Sequence, residues 1–295
     1  MTPLLERVVD KLRPAATPAR PAVIRLGVGA FSAWNNHRRR GIFRGLHHQD
    51  PARFRPVGPV KILRRPLPPK FADLLFDAAQ LANAAATLGI AHRVSGPLNS
   101  ALQLWTLSYR NSWGMIYHND NMLLLQQMVL GLSRSGDALS VDSVIREKTL
   151  LPERYERTYG GIPTAVNIAA VTVYLISGVA KVRSPLGWSW AGGTALREQI
   201  AADSIRKEVF GGKVPATTGA LYRSNLSFGV LAGTALAVEL GAPLALIDRR
   251  LGQGFVIAAW GMHAGIRVIM GIKFKYNLSG ISYLGFFPVG AQLVR

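Results

Sequence analysis

The chain has 295 residues, 49% hydrophobic and only 17% charged, and its 35 Lys+Arg against 16 Asp+Glu leave a net charge of +19. A soluble domain usually carries about 25% charged residues, so the composition points to extensive lipid-facing surface. The absence of cysteine excludes disulfides, thiolate zinc sites, iron–sulfur ligation and cysteine nucleophiles.

The histidines (His37, His47, His48, His92, His118 and His263) lack metal-ligand spacing, and no metal is expected. In a soluble protein the basic surplus would suggest nucleic acid. Beside so apolar a composition it fits loops facing anionic lipid on the cytoplasmic side, and no nucleic-acid partner is expected.

Met1–Pro21 is mixed in charge and does not read as a cleavable signal peptide, so the first span is expected to serve as the targeting signal. Ala22–Asn36 is a short apolar segment holding Arg25. The loop His37–Lys70 follows, with ten Lys and Arg against Asp50 alone and six prolines, which rule out one continuous helix. The positive-inside rule places that loop in the cytoplasm.

Phe71–Ile90 is long enough to span, but Asp73, Asp77, Gln80 and Asn83 give it a polar stripe at helical spacing, expected to face the bundle interior. Pro97–Ile116 leads into the aromatic-rich W-G-M-I-Y at 113–117, suited to an interface belt. Asn121–Leu132 is short, and the loop Ser133–Gly160 is balanced in charge. Residues 161–181 are almost all apolar or small and end on Lys181, which matches a helix crossing a hydrocarbon layer of about 30 Å at about 1.5 Å per residue.

Arg183–Arg223 is mixed, with W-S-W at 188–190 and an amphipathic stretch around Thr194–Val209. Leu226–Ile247, Leu251–Ile272 and a last segment at Leu278–Val294 complete the pattern. No internal repeat or linker is visible. The expected fold is one all-α, multi-pass membrane domain over 1–295, with about seven transmembrane helices.

Several patterns together resemble the membrane domain of vitamin K-dependent gamma-carboxylases and their bacterial relatives, the horizontally transferred transmembrane (HTTM) family. They are P-A-V-I-R-L-G at 21–27, L-R-R-P-L-P at 63–68, L-G-I-A-H-R-V-S at 88–95, S-W at 112–113 and H-N-D-N-M-L-L-L at 118–125. S-V-D at 140–142, Y-L-I-S-G-V-A-K-V at 174–182, M-H-A-G-I at 262–266 and M-G-I-K-F at 270–274 follow in the same order. The resemblance covers most of residues 20–280 and implies a multi-pass protein of the cell membrane, the inner membrane in a bacterium.

It also implies chemistry on a quinone or other lipid-soluble substrate. Lys181 matches the lysine that the carboxylases use as base toward vitamin K hydroquinone, and His263 matches a family histidine. Either His118 or Asn121 matches the carboxylase histidine of the polar cluster. No segment resembles the lumenal region that binds propeptide and glutamate in the carboxylases, so carboxylation of a protein substrate is not expected.

The residues themselves leave alternatives open. Lys181 is either a base, its amine neutral in an apolar pocket, or an interfacial lysine that snorkels to water. His118 with Asp120 and Asn121 either binds a substrate head group or relays protons, or else Asp120 or Asn121 caps the following helix. His263 and Arg267 are spaced i,i+4 and share a face. Arg267 needs a partner in mid-span, for which Asp73, Asp77 and Glu239 are candidates. Trp113, Asp120, Asn121 and Arg267 are the further groups placed to contact a substrate. Two functions compete: a membrane enzyme with Lys181, His263 and His118 at its centre, and a non-catalytic accessory or assembly subunit that binds a membrane protein partner.

Overall fold

The structure, a computed structural model, describes residues 3–114, 116 and 118–293, and it is all-helical: no strand occurs among them, only an isolated bridge between Ala16 and Glu156. The helices are α1 (Pro3–Leu12), α2 (Ala19–Gly45), α3 (Pro69–Leu88), α4 (His92–Asn111), α5 (His118–Gly131) and α6 (Val141–Glu147). They continue as α7 (Arg157–Val182), α8 (Thr194–Val209), α9 (Ala216–Leu221), α10 (Asn225–Gly241), α11 (Arg249–Met270) and α12 (Lys275–Leu278). Two compact units are distinguishable, one of residues 1–169 and 287–295 and the other of 170–286.

Among the described residues, two helical segments are long and apolar enough to cross a membrane, Arg157–Val182 and Leu226–Leu246. The remaining long helices are more polar, and in the first unit the polarity lies inside. Helix α4 buries Ser95, Asn99, Ser100, Gln103 and Thr106, while Val94 and Leu98 are exposed. Helix α3 likewise buries alanines and Asn83 and leaves Phe71, Leu74, Leu81 and Leu88 outside.

Small residues bring the first-unit helices together. A Cβ on Gly96 would lie 2.2 Å from the carbonyl oxygen of Gly131, and one on Gly131 would lie 2.5 Å from that of Gly96, so α4 and α5 meet backbone to backbone. The polar stripe of α3 faces α2: Asp77 pairs with Arg40 at 2.6 Å, Asp73 with Arg44 at 3.8 Å and His47 at 3.2 Å, and Asn83 donates to Gly29 O at 3.0 Å.

Arg25, buried in α2, donates from Nε to Thr87 O at 3.1 Å and from its terminal nitrogens to the carbonyls of Ser135, Ala138 and Leu139. Thr87 O is one of the carbonyls that the end of α3 leaves without a helical donor. A charged residue in an apolar segment is thereby used as a cap.

Two expectations are corrected. The basic loop begins later than His37, because α2 continues through the Arg38–Arg40 run to Gly45, and arginine is a good helix former. The rest of that loop forms short 3₁₀ turns, and its Phe54 and Val60 are buried in a cluster with Phe43, Phe76 and Tyr109. The last expected segment, 278–294, is no long helix: it holds the end of α12 and a 3₁₀ turn at Ile281–Phe286, with Gly280, Pro288 and Gly290 interrupting it. Its Val294, like Met115 and Tyr117 of the expected aromatic belt, lies outside the described residues.

In the second unit the C-terminus of α11 is held from α8 and α9. Thr217 and Thr218 donate to Val268 O and Ile269 O at 2.6 and 2.5 Å, and Lys207 Nζ bonds Met270 O. Gly271 closes the helix in the left-handed region.

Candidate functional site

Three helices of the first unit turn one face each into a shared cavity of about 420 Å³, within the size range of small-molecule sites. Helix α2 contributes Ser32, Asn35, Asn36 and Arg39, then Ile42, Phe43 and Leu46. Helix α4 contributes Gln103, Thr106, Leu107 and Arg110, and α5 contributes Asp120, Leu123, Leu124 and Gln127. Each set follows the i, i+3, i+4, i+7 spacing that places side chains on one helix face.

The lining is graded along its length. Arg39 lies seven residues from both Ser32 and Leu46, about 10 Å each way at about 1.5 Å per residue. At one end amides predominate: Asn36 Nδ2 donates to Gln103 Oε1 at 3.4 Å, Gln103 Nε2 to Ala79 O at 3.2 Å, and Gln127 Nε2 to Asn83 Oδ1 at 2.9 Å. At the other end Phe43 stacks on Phe76 with ring centroids 4.4 Å apart, and Trp113 packs against Phe54 at 5.2 Å.

Between the two ends stands a charge cluster. Asp120, buried in the first turn of α5, receives both carboxylate contacts from Arg39 Nη1, at 3.0 and 3.2 Å, and a further bond from Arg110 Nη2. Asn119 Nδ2 adds a contact at 3.3 Å.

Of the residues singled out from sequence, the structure brings Trp113 and Asp120 to this cavity. Asp120 is committed to Arg39 and Arg110. Asn121 is half-buried beside it on α5, and His118 is exposed in the same first turn.

Lys181 and His263 belong to the second unit, in separate groups. Both carboxylate oxygens of Glu239 on α10 accept from Lys181 Nζ at 2.5 Å, and the ammonium lies over the Trp190 ring at 4.9 Å. Helix α7 approaches α10 at Gly178, where a Cβ would stand 2.9 Å from Glu239 Cβ.

His263 is buried and hydrogen-bonded at Nδ1 to Ala259 O at 2.8 Å, with Tyr174 Oη 3.3 Å away. Tyr174 and Tyr283 share a hydrogen bond of 2.6 Å, and Asn277 Nδ2 donates to both hydroxyls. This network ties α7, α11, α12 and the turn at 281–286 together.

Arg267 departs from expectation. It is exposed in the last turn of α11 while His263 is buried, and the carboxylates expected to meet it pair elsewhere: Asp73 with Arg44 and His47, Asp77 with Arg40, Glu239 with Lys181. Sequence reasoning missed Arg39, Arg110, Gln103 and Gln127. The signal for them was the polar stripe Gln103–Thr106–Arg110 at helical spacing, matched by Asp120 and Gln127 on the next helix.

No protein-family model, curated protein or solved structure matches the chain.

Proposed function

We propose that this chain is a multi-pass integral membrane protein of the HTTM, gamma-carboxylase-like kind. Its first unit takes a lipid-soluble ligand, a quinone or another amphiphile, into the cavity between α2, α4 and α5. The observation that carries the reading is the graded cavity, with amides and charge at one side of Arg39 and stacked aromatic rings at the other. Such a gradient suits a molecule with a polar head and an apolar body.

The membrane setting is supported by the inverted helices. A surface that exposes Val94, Leu98, Leu74 and Leu81 while hiding Asn99 and Gln103 costs free energy in water and gains it in hydrocarbon. Helices α3 and α4, each of 20 residues, reach about 30 Å, the thickness of that layer. The excess of Lys and Arg in the end of α2 and the 3₁₀ turns that follow it supports a cytoplasmic position for that segment, in the cell membrane, the inner membrane in a bacterium.

A second reading, a non-catalytic accessory subunit that docks on a membrane protein, is favoured by the Lys181–Glu239 pair. That pairing turns the expected base into a strut between α7 and α10. The two readings divide on ligand content. Native mass spectrometry of detergent-purified protein is expected to find a co-purifying quinone or other amphiphile in the wild type. Leu124→Trp, which fills the cavity, is expected to lose it. A wild type that retains no small molecule and co-purifies with a protein subunit would overturn the ligand-binding reading.

A further inference from the structure

We infer that the ligand's head group is an oxyanion, a carboxylate or phosphate, received by Arg39 and Arg110. The inference rests on the ligand-binding reading above and narrows it to a class of ligand. Its ground is the charge count inside the cavity. Among the described residues, Arg39, Arg110 and Asp120 are the titratable groups in its lining, two cations to one anion, which leaves one positive charge uncompensated.

The donor count points the same way. A guanidinium carries five N–H donors. The bonds to Asp120 use one terminal nitrogen of each arginine, and among the described residues the other N–H groups of Arg39 and Arg110 meet no protein acceptor. Both side chains are about a quarter to a third exposed, so those donors line the opening.

Arginine's planar fork fits a carboxylate or phosphate through two parallel bonds. A neutral head group offers acceptors but leaves the surplus charge in place. The amide wall from Asn36 to Gln127 supplies further neutral donors, and the aromatic end takes the tail. Asp120 acts as the resident counterion with which an incoming anion shares the two arginines.

The test compares ligands of one tail length and different heads. The protein is placed in phosphatidylcholine nanodiscs and titrated with dodecanoate, dodecyl phosphate or dodecanol, with occupancy read by native mass spectrometry. Both anions are expected to bind about tenfold or more tightly than dodecanol, which is the difference a charge-assisted bond supplies. Arg39→Gln and Arg110→Gln are each expected to erase most of that advantage over dodecanol. Asp120→Asn is expected to shift affinity the other way and tighten the anions, so the proposal stays testable if an arginine variant fails to fold.

Phosphatidic acid added to the disc separates the sources. Its displacement of dodecanoate assigns the head group to a membrane phospholipid, and its failure to compete assigns it to a free carboxylated amphiphile. Equal affinity for dodecanol and dodecanoate, or an anion preference that survives both arginine variants, would overturn the inference and leave ligand binding standing. Retention of none of the three would overturn ligand binding itself.

Discussion

Removing the carboxylate charge of Glu239 tests whether Lys181 is a strut or a base. Glu239→Gln keeps the shape of the side chain and leaves the ammonium of Lys181 without its counterion. Breaking a fully buried ion pair by loss of one partner costs about 3–5 kcal/mol. Here the Glu239 side chain is 8% exposed but that of Lys181 is 25% exposed, and the ammonium retains its place over Trp190.

A cation over an aromatic face recovers about 0.5–1 kcal/mol, and partial access to water recovers more. The expected loss is therefore about 2–3 kcal/mol, or a fall in Tm of about 3–5 °C for a chain of this size. Lys181→Met is expected to destabilise similarly. The double variant Lys181→Met/Glu239→Leu is expected to return within about 1 kcal/mol of wild type, because an apolar pair of similar volume avoids the desolvation of both charges.

Thermal unfolding in detergent, followed by tryptophan fluorescence, measures wild type, Glu239→Gln, Lys181→Met and the double variant. A Glu239→Gln protein as stable as wild type would refute the strut. So would a double variant that carries the sum of the two single losses.

Further outcomes follow from the first unit. Gly131→Ala pushes a methyl against Gly96 O, 2.5 Å from the added carbon, and is expected to cost about 1–3 kcal/mol because backbone must shift; Gly114→Ala, with no atom of the described residues within 4 Å, is the control and is expected to leave Tm unchanged. Arg25→Met strands the carbonyls of Thr87, Ser135, Ala138 and Leu139 and is expected to cost about 3 kcal/mol or more, measured by chemical denaturation.

Asp137 carries the pH dependence. Burial raises its pKa, but the hydrogen bond from Tyr159 at 2.9 Å and the contacts from Arg134 and Arg146 outweigh it and hold the carboxyl below its ordinary 3.8. With a depressed folded pKa, its contribution is fully present above pH 3.8 and is lost as pH falls through the lower folded value. The difference in stability between wild type and Asp137→Asn is expected to be flat at neutral pH and to shrink below about pH 4. A difference that stays constant into acid would contradict the assignment.

Much of the helical layout was legible because it is local. The apolar run ending at Lys181 became α7, the amphipathic stretch at 194–209 became α8, and Leu251–Ile272 became α11 with Gly271 as its stop. The polar stripe of α3 was read as inward-facing from spacing alone. The end of α2 was misplaced because Arg38–Arg44 reads as a charged loop until its partners are known, and Asp77 and Asp120 lie 37 and 81 residues along the chain.

The site was only half legible for the same reason. Trp113 and Asp120 stood out as an aromatic and a carboxylate beside a leucine run. Arg39 and Arg110 acquired meaning only when the fold set both against one carboxylate. Lys181 was conspicuous as the one charge ending an apolar span, and nothing local announced Glu239, 58 residues away, as its partner.

The inverted bundle around a ligand cavity can be tested on helix α4 itself. The chain has no cysteine, so single cysteines at Leu98 and Thr106 can be labelled without background. With spin labels in phosphatidylcholine nanodiscs, the account predicts that Leu98→Cys is reached by oxygen dissolved in lipid and not by a water-soluble paramagnetic ion. Thr106→Cys is predicted to be shielded from lipid and to lose mobility when dodecanoate is added. A label at 98 open to the aqueous ion, or one at 106 indifferent to the ligand, would contradict it.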